Sequence, residues 1–168
     1  MNATLFRIFF NPFLIVVLTV GFYGCDLVNN SSDDKEDDRL YVQFNNDSSS
    51  TYIITGIELQ DMGVAGETPE PSGTWSENVL DDGVEVAPQG VSYFYAEIPN
   101  LHWCKYRLTV KDNDGSIIKL YLQEGYIEQE SSITHWGSDE RTVNVVVVKN
   151  AITGLIEVTS WGDFAGID

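Results

Sequence analysis

From Arg39 onward the chain alternates apolar and polar residues with a period of two. Arg39 to Asn45 sets Leu40, Val42 and Phe44 against Tyr41 and Gln43. Trp103 to Lys111 puts Cys104, Tyr106, Leu108 and Val110 on one side, and Lys105, Arg107, Thr109 and Lys111 on the other. Successive side chains of a strand point to opposite faces, so this is the signature of half-buried strands. Ser50 to Leu59, which follows an Asn-Asp-Ser turn, and Ser92 to Ile98 read the same way. Asp112-Asn113-Asp114-Gly115 predicts a turn, with Ser116 to Gln123 returning as its hairpin partner. Arg141 to Lys149 carries the β-branched run VNVVVV, Asn150 to Gly154 turns it, and Leu155 to Trp161 runs back. No stretch after Asp38 sustains apolar residues at helical spacing. About seven or more strands, joined by Gly- and Asp-rich turns, predict an all-β fold: a single antiparallel β-sandwich domain over residues 39–168. Gln60 to Thr74 has neither period and is expected to form a long loop, flexible or ligand-binding.

The pattern before Arg39 is of another kind. Met1 to Arg7 is basic, and no acid precedes Asp26. Phe13 to Val20 is apolar apart from Thr19 but short of the roughly 20 residues that a membrane span needs. Residues 1–24 therefore read as a secretory signal peptide. A buried core helix is the competing reading, and Pro12 inside the pattern speaks against it.

Phe22-Tyr23-Gly24-Cys25 resembles a bacterial lipoprotein processing site, in which a small residue precedes a cysteine that is lipidated and becomes the new N-terminus. Gly24 and Cys25 fit, whereas Phe22 and Tyr23 depart from the usual Leu and small residue; cleavage elsewhere would leave Cys25 an ordinary thiol. The resemblance implies two acyl chains (palmitate or similar) on the sulfur and a third on the amine. Each buried methylene adds about 0.8 kcal/mol, so such a protein is membrane-anchored without crossing the bilayer. Residues 25–38 then form the lipidated cysteine and an acidic tether, since Asn29 to Asp38 has no apolar residue to bury. Ser32-Asp33-Asp34 resembles the export signals of surface lipoproteins in some Gram-negative groups, while Asp26 resembles an inner-membrane retention signal. The expected location is the cell envelope, at the outer membrane or cell surface rather than the inner membrane.

A second resemblance lies within the domain. Trp75-x-x-Asn78-x-Leu80, the Asp81-Asp82-Gly83 turn, Cys104-Lys105-Tyr106 and the Asp114-Gly115 turn are similar, in that order, to a family of small secreted bacterial β-domains of uncharacterised function. The likeness covers roughly Tyr52 to Leu122 and departs at a downstream cysteine, where this chain has Tyr126 and Ile127. It implies that Trp75 plugs the sandwich and Asn78 ties a turn.

Charge and composition narrow the partners. With 9 basic against 26 acidic residues the net charge is −17, which repels polyanions; nucleic-acid binding needs clustered Lys and Arg. A neutral glycan or a protein is the better partner, besides the membrane reached through the lipid. Cys104 is the one cysteine of the domain, expected to pack as a small hydrophobe. Asp112-x-Asp114-Gly115 lacks the remaining acids of a calcium loop and reads as a plain turn. His135 stands among Glu128, Glu130, Asp139 and Glu140 without metal-ligand spacing, in what is expected to be a solvated loop. No G-x-S-x-G occurs, and no carboxylate pair is singled out. No catalytic residue, metal site or cofactor is assigned. Trp103, Trp136 and Trp161, with Tyr93 and Tyr95, form either a ligand platform or core packing. The expectation is a lipoprotein presenting a non-enzymatic binding module. The alternatives are a hydrolase of surface polysaccharide or protein, with a site among Glu128, Glu130, His135 and Asp139, and a purely structural envelope component.

Overall fold

A computed structural model describes residues 38–68, 70–126 and 133–163. The signal peptide, Cys25, the tether through Asp37, Glu128 and Glu130 lie outside them. The period-two pattern turns directly into burial. Along β1 (Arg39–Asn46) Leu40, Val42 and Phe44 are fully buried while Tyr41, Gln43 and Asn45 stay partly exposed. β3 (Val91–Glu97) and β4 (His102–Lys111) follow the same rule, as does β7 (Glu140–Lys149), whose Val143, Val145 and Val147 point inward. β2 (Ile53–Val64), β5 (Ile117–Lys119), β6 (Ile133–Thr134) and β8 (Ile156–Asp163) complete the described strands. Among the described residues no helix is long and apolar enough to cross a membrane.

The strands form two sheets. One has the order β3-β1-β7-β8 and the other β2-β4-β5, with β6 also pairing β4. The buried faces share one core, in which Phe44 of the first sheet meets Tyr106 of the second edge to face at 5.5 Å. The fold is all-β and sandwich-like, as the alternation predicts. One pairing departs from a purely antiparallel arrangement: β1 and β7 run parallel, with Phe44 opposite Val143 and Asn45 opposite Asn144. Parallel neighbours need a crossover, and here the chain of the whole second sheet separates them.

Two segments differ from expectation for identifiable reasons. Ser116 to Gln123 is no continuous strand, because Leu120 turns into the core in a 3-10 turn (Leu120–Leu122). Gln60 to Thr74 is not one long loop. β2 continues to Val64, and the chain then returns along its edge, with Ser72 N–H donating to Asp61 O (2.8 Å) and Ser76 N–H to Leu59 O (2.8 Å). Asn78 secures this return: its Oδ1 accepts from Ile57 N–H (2.9 Å) and Leu80 N–H (3.2 Å). Gly56 lets Asn78 approach, since a Cβ there would stand 3.2 Å from Thr109 Cβ and 3.5 Å from Asn78 Oδ1.

Candidate functional site

Every second residue of the first sheet points away from the core, and these outward positions carry a group of exposed aromatic residues. Tyr93 and Tyr95 on β3 are 53% and 60% exposed, and Trp161 on β8 is 45% exposed. Tyr41, on the neighbouring strand β1, lies between the two tyrosines, stacked on Tyr93 (centroids 5.7 Å, 12° between planes) and tilted against Tyr95 (5.0 Å). Cross-strand pairing dictates this cluster, because Tyr41 is directly opposite Tyr95 and Gln43 directly opposite Tyr93.

Side-chain amides bridge the space between the tyrosines and Trp161. Gln43 Nε2 donates to Asn45 Oδ1 (3.1 Å), and Asn45 Nδ2 donates across to Asn144 Oδ1 (2.9 Å). Asn144 is in turn the cross-strand partner of Trp161. The outward positions of the two central strands, from Tyr41 to Asn45 and from Thr142 to Val148, carry no carboxylate, ammonium or guanidinium. Charge stands at the rim, where Arg39 lies over the Tyr95 ring at 5.3 Å. An uncharged centre of this kind, rimmed by Arg39, Glu97, Glu140 and Glu157, is unexpected on composition alone in a chain of net charge −17.

Of the five aromatic residues singled out from the sequence, the structure brings Tyr93, Tyr95 and Trp161 onto one face. Trp103 is half-buried on β4 of the other sheet, opposite Thr134. Trp136 is 62% exposed in the connection from β6 to β7. Tyr41 and the three amides were not named as site residues. Their outward phase is readable in β1 and β7, but the parallel pairing that aligns Asn45 with Asn144 is not.

The outer face of the second sheet is closed by its own side chains. Arg107 lies between the rings of Trp75 (4.4 Å) and Tyr121 (3.9 Å) and donates from Nε to Glu58 (2.8 Å), which also accepts from the Tyr121 hydroxyl (3.2 Å). Trp75 therefore does not plug the sandwich. The return segment carries it along the outside of β2, where the guanidinium offers a stacking surface.

Histidine and cysteine are tied into the structure. His135 does not sit in a solvated loop: it is 2% exposed, its Nδ1 donates to Ile98 O (2.6 Å), and its Nε2 lies 3.3 Å from Asp139. Its backbone is held from both sides, by Leu101 N–H (2.7 Å) and by His102 O (2.9 Å). His102 Nδ1 faces both Asp61 oxygens at 3.1 and 3.2 Å. No group of three or more metal-ligating side chains converges among the described residues. In the Asp112 turn the carboxylate accepts from its own backbone, Asp114 N–H (3.0 Å) and Ser116 N–H (2.8 Å), as a local turn requires.

Cys104 lies beneath a groove of about 310 Å³ between the edges of β2 and β3. Burial, and then the Asp61 carboxylate, push its thiol up to about 12 from an ordinary 9.0. Such a thiol is no nucleophile at neutral pH. The folded state favours the protonated form, so the stabilisation is complete below pH 9.0 and is lost as pH rises towards 12. Over that window the wild type is expected to lose about 1.4 kcal/mol more per pH unit than Cys104→Val, read from urea midpoints across the alkaline range. Parallel curves for the two proteins would contradict the assignment.

Comparison with protein-family models, curated proteins and solved structures finds no match for this chain. Fold and site by themselves define the class: an all-β, two-sheet domain with one face whose centre is aromatic and amide and whose rim is charged.

Proposed function

We propose that the protein is a lipid-anchored, non-catalytic binding module of a Gram-negative envelope, held at the membrane through Cys25 and offering the outer face of the β3-β1-β7-β8 sheet to a partner. The observation that carries this reading is the gathering of Tyr41, Tyr93, Tyr95 and Trp161, from three different strands, on one outward face. Aromatic side chains with a polar edge are enriched where proteins meet ligands. The hydrolytic alternative needs His135 at a solvent-open site, and its 2% exposure weighs for binding instead. The acidic tether from Asn29 to Asp38 would hold the domain clear of an anionic membrane surface. Outer membrane or cell surface is the proposed address.

The anchor is tested on the full chain. Membrane-extracted wild type is expected to exceed its polypeptide mass by the acyl groups on Cys25. Cys25→Ser is expected to lose that mass and move to the soluble fraction. Unchanged mass and fractionation in the variant would overturn the anchor. Exposure to added protease on whole cells tests surface display.

A further inference from the structure

We infer that the ligand of this face is a neutral polysaccharide, lying across the sheet from the tyrosine cluster to Trp161 with its hydroxyls bonded along Gln43, Asn45 and Asn144. The inference rests on the binding reading above and names the chemistry of the partner. A pyranose ring has an apolar C–H face and a rim of hydroxyls that both donate and accept. It is therefore complementary to a surface that alternates aromatic rings with amides.

The amide ladder is polar in a way that fits this. Each amide passes one hydrogen bond to the next, Gln43 to Asn45 to Asn144. That leaves Gln43 Oε1 as an acceptor at the Tyr93 end and the Asn144 NH₂ as a donor at the Trp161 end, without protein partners among the described residues. A hydroxylated chain can complete both ends at once. An anion would meet the Gln43 carbonyl with repulsion, and a cation would meet the Asn144 donors.

Charge selects in the same direction. The central strands are neutral outward from Tyr41 to Asn45 and from Thr142 to Val148, with Arg39 and Glu140 at their ends, so the middle of the face offers no counter-charge to a phosphate, a uronate or a basic peptide. The centre of a protein–protein interface is usually apolar, whereas here the space between the aromatic posts is filled with amides. Dimensions favour a polymer over a monosaccharide. β3 and β8 stand three strand spacings apart, about 14 Å, and Trp161 is further displaced by two residues along the strands from the Tyr93 row, about 7 Å. A ligand touching both ends must contain several rings.

The test uses detergent-extracted full chain in affinity electrophoresis through gels containing neutral glucans, mannans or xylans, with alginate and heparin as polyanion controls. Retardation by at least one neutral polymer is expected, unchanged between low and high salt because no ion pair is involved. Trp161→Ala and Tyr93→Ala are expected to weaken it about tenfold or more, as loss of an anchoring ring does. Trp161→Phe should keep most of it, and Trp136→Ala, which alters an exposed ring in the β6–β7 connection and not on a strand of this face, should keep all of it. Thermal unfolding of each variant identifies any that fail to fold, and the Trp161→Phe and Trp136→Ala comparison holds in either case. Retardation by polyanions alone, or by no polymer, overturns the glycan assignment. If a protein is then captured through Trp161, the binding reading survives without the glycan. If Trp161→Ala changes neither, both readings fall.

Discussion

Replacing Phe44 by alanine is expected to remove about 3–5 kcal/mol of stability, the usual cost of emptying a buried phenylalanine site. Phe44 is fully buried at the centre of the first sheet, on a strand paired on both sides. Its ring meets Tyr106 of the opposite sheet edge to face at 5.5 Å and Phe94 of its own sheet at 6.3 Å. Truncation forfeits the transfer of the ring from water and the two aromatic contacts. It also leaves a cavity that strands fixed by hydrogen bonds on either side cannot close. Domains of this size are stable by about 5–15 kcal/mol, so the variant should lie near the edge of folding at 37 °C. Urea unfolding is the measurement: the midpoint should fall steeply with little change in slope. A loss below about 1 kcal/mol would mean that Phe44 does not join the two sheets.

The second large effect comes from a change of one atom. Asn46 is 1% exposed, and its Nδ2 donates to two carbonyls, Val86 O (2.8 Å) and Tyr52 O (2.9 Å). Its backbone binds the same region, with Asn46 N–H donating to Gly90 O (3.0 Å) and Gln89 N–H to Asn46 O (2.8 Å). One residue thus fastens the segment before β3 and the approach to β2 onto the end of β1. Asn46→Asp keeps the shape and replaces the donor with a carboxylate oxygen facing two carbonyl oxygens. The expected cost at neutral pH is about 3–5 kcal/mol, from an unpaired buried charge and the loss of both amide bonds, of which Val86 O keeps only its bond from Ile54 N–H. The sign of its pH dependence follows. Burial raises the folded-state value of the new carboxyl, so the penalty is smallest below the ordinary aspartate value of about 4 and grows as pH rises above it. Midpoints of wild type and variant should approach one another on acidification. A gap independent of pH would show that the loss is steric.

What was legible in the sequence is what side-chain alternation encodes. β1, β3, β4, β7 and β8 were all expected within a residue or two of their ends, because one buried face forces a strict period. The return of the chain along β2 was not legible, since Ser72 attaches through its backbone, Ser76 through its backbone and hydroxyl, and Asn78 through one amide, none of which leaves a hydrophobic pattern. β6 is two residues long and has no period to read. His135 was misplaced because a charged neighbourhood in sequence does not reveal that two backbone bonds draw the imidazole inward. The candidate site was half legible. Tyr93, Tyr95 and Trp161 stood out as aromatics at outward phases. Their relation to Tyr41 and to the Gln43-Asn45-Asn144 ladder required the order of strands in the sheet, above all the parallel β1–β7 pair, which no local stretch specifies. Trp103 and Trp136 share only residue type with them: Trp103 belongs to the second sheet, and Trp136 to the β6–β7 connection.

If one sheet face binds the partner, the rest of the surface stays free. Hydroxyl-radical footprinting of the full chain, on whole cells and after purification, tests it residue by residue. Tyr93, Tyr95 and Trp161 should be protected on cells relative to the purified protein, and Trp136, at 62% exposure, should oxidise equally in both. Protection of Trp136 with Tyr93, Tyr95 and Trp161 as reactive on cells as in purified protein would mean that this face does not bind the partner.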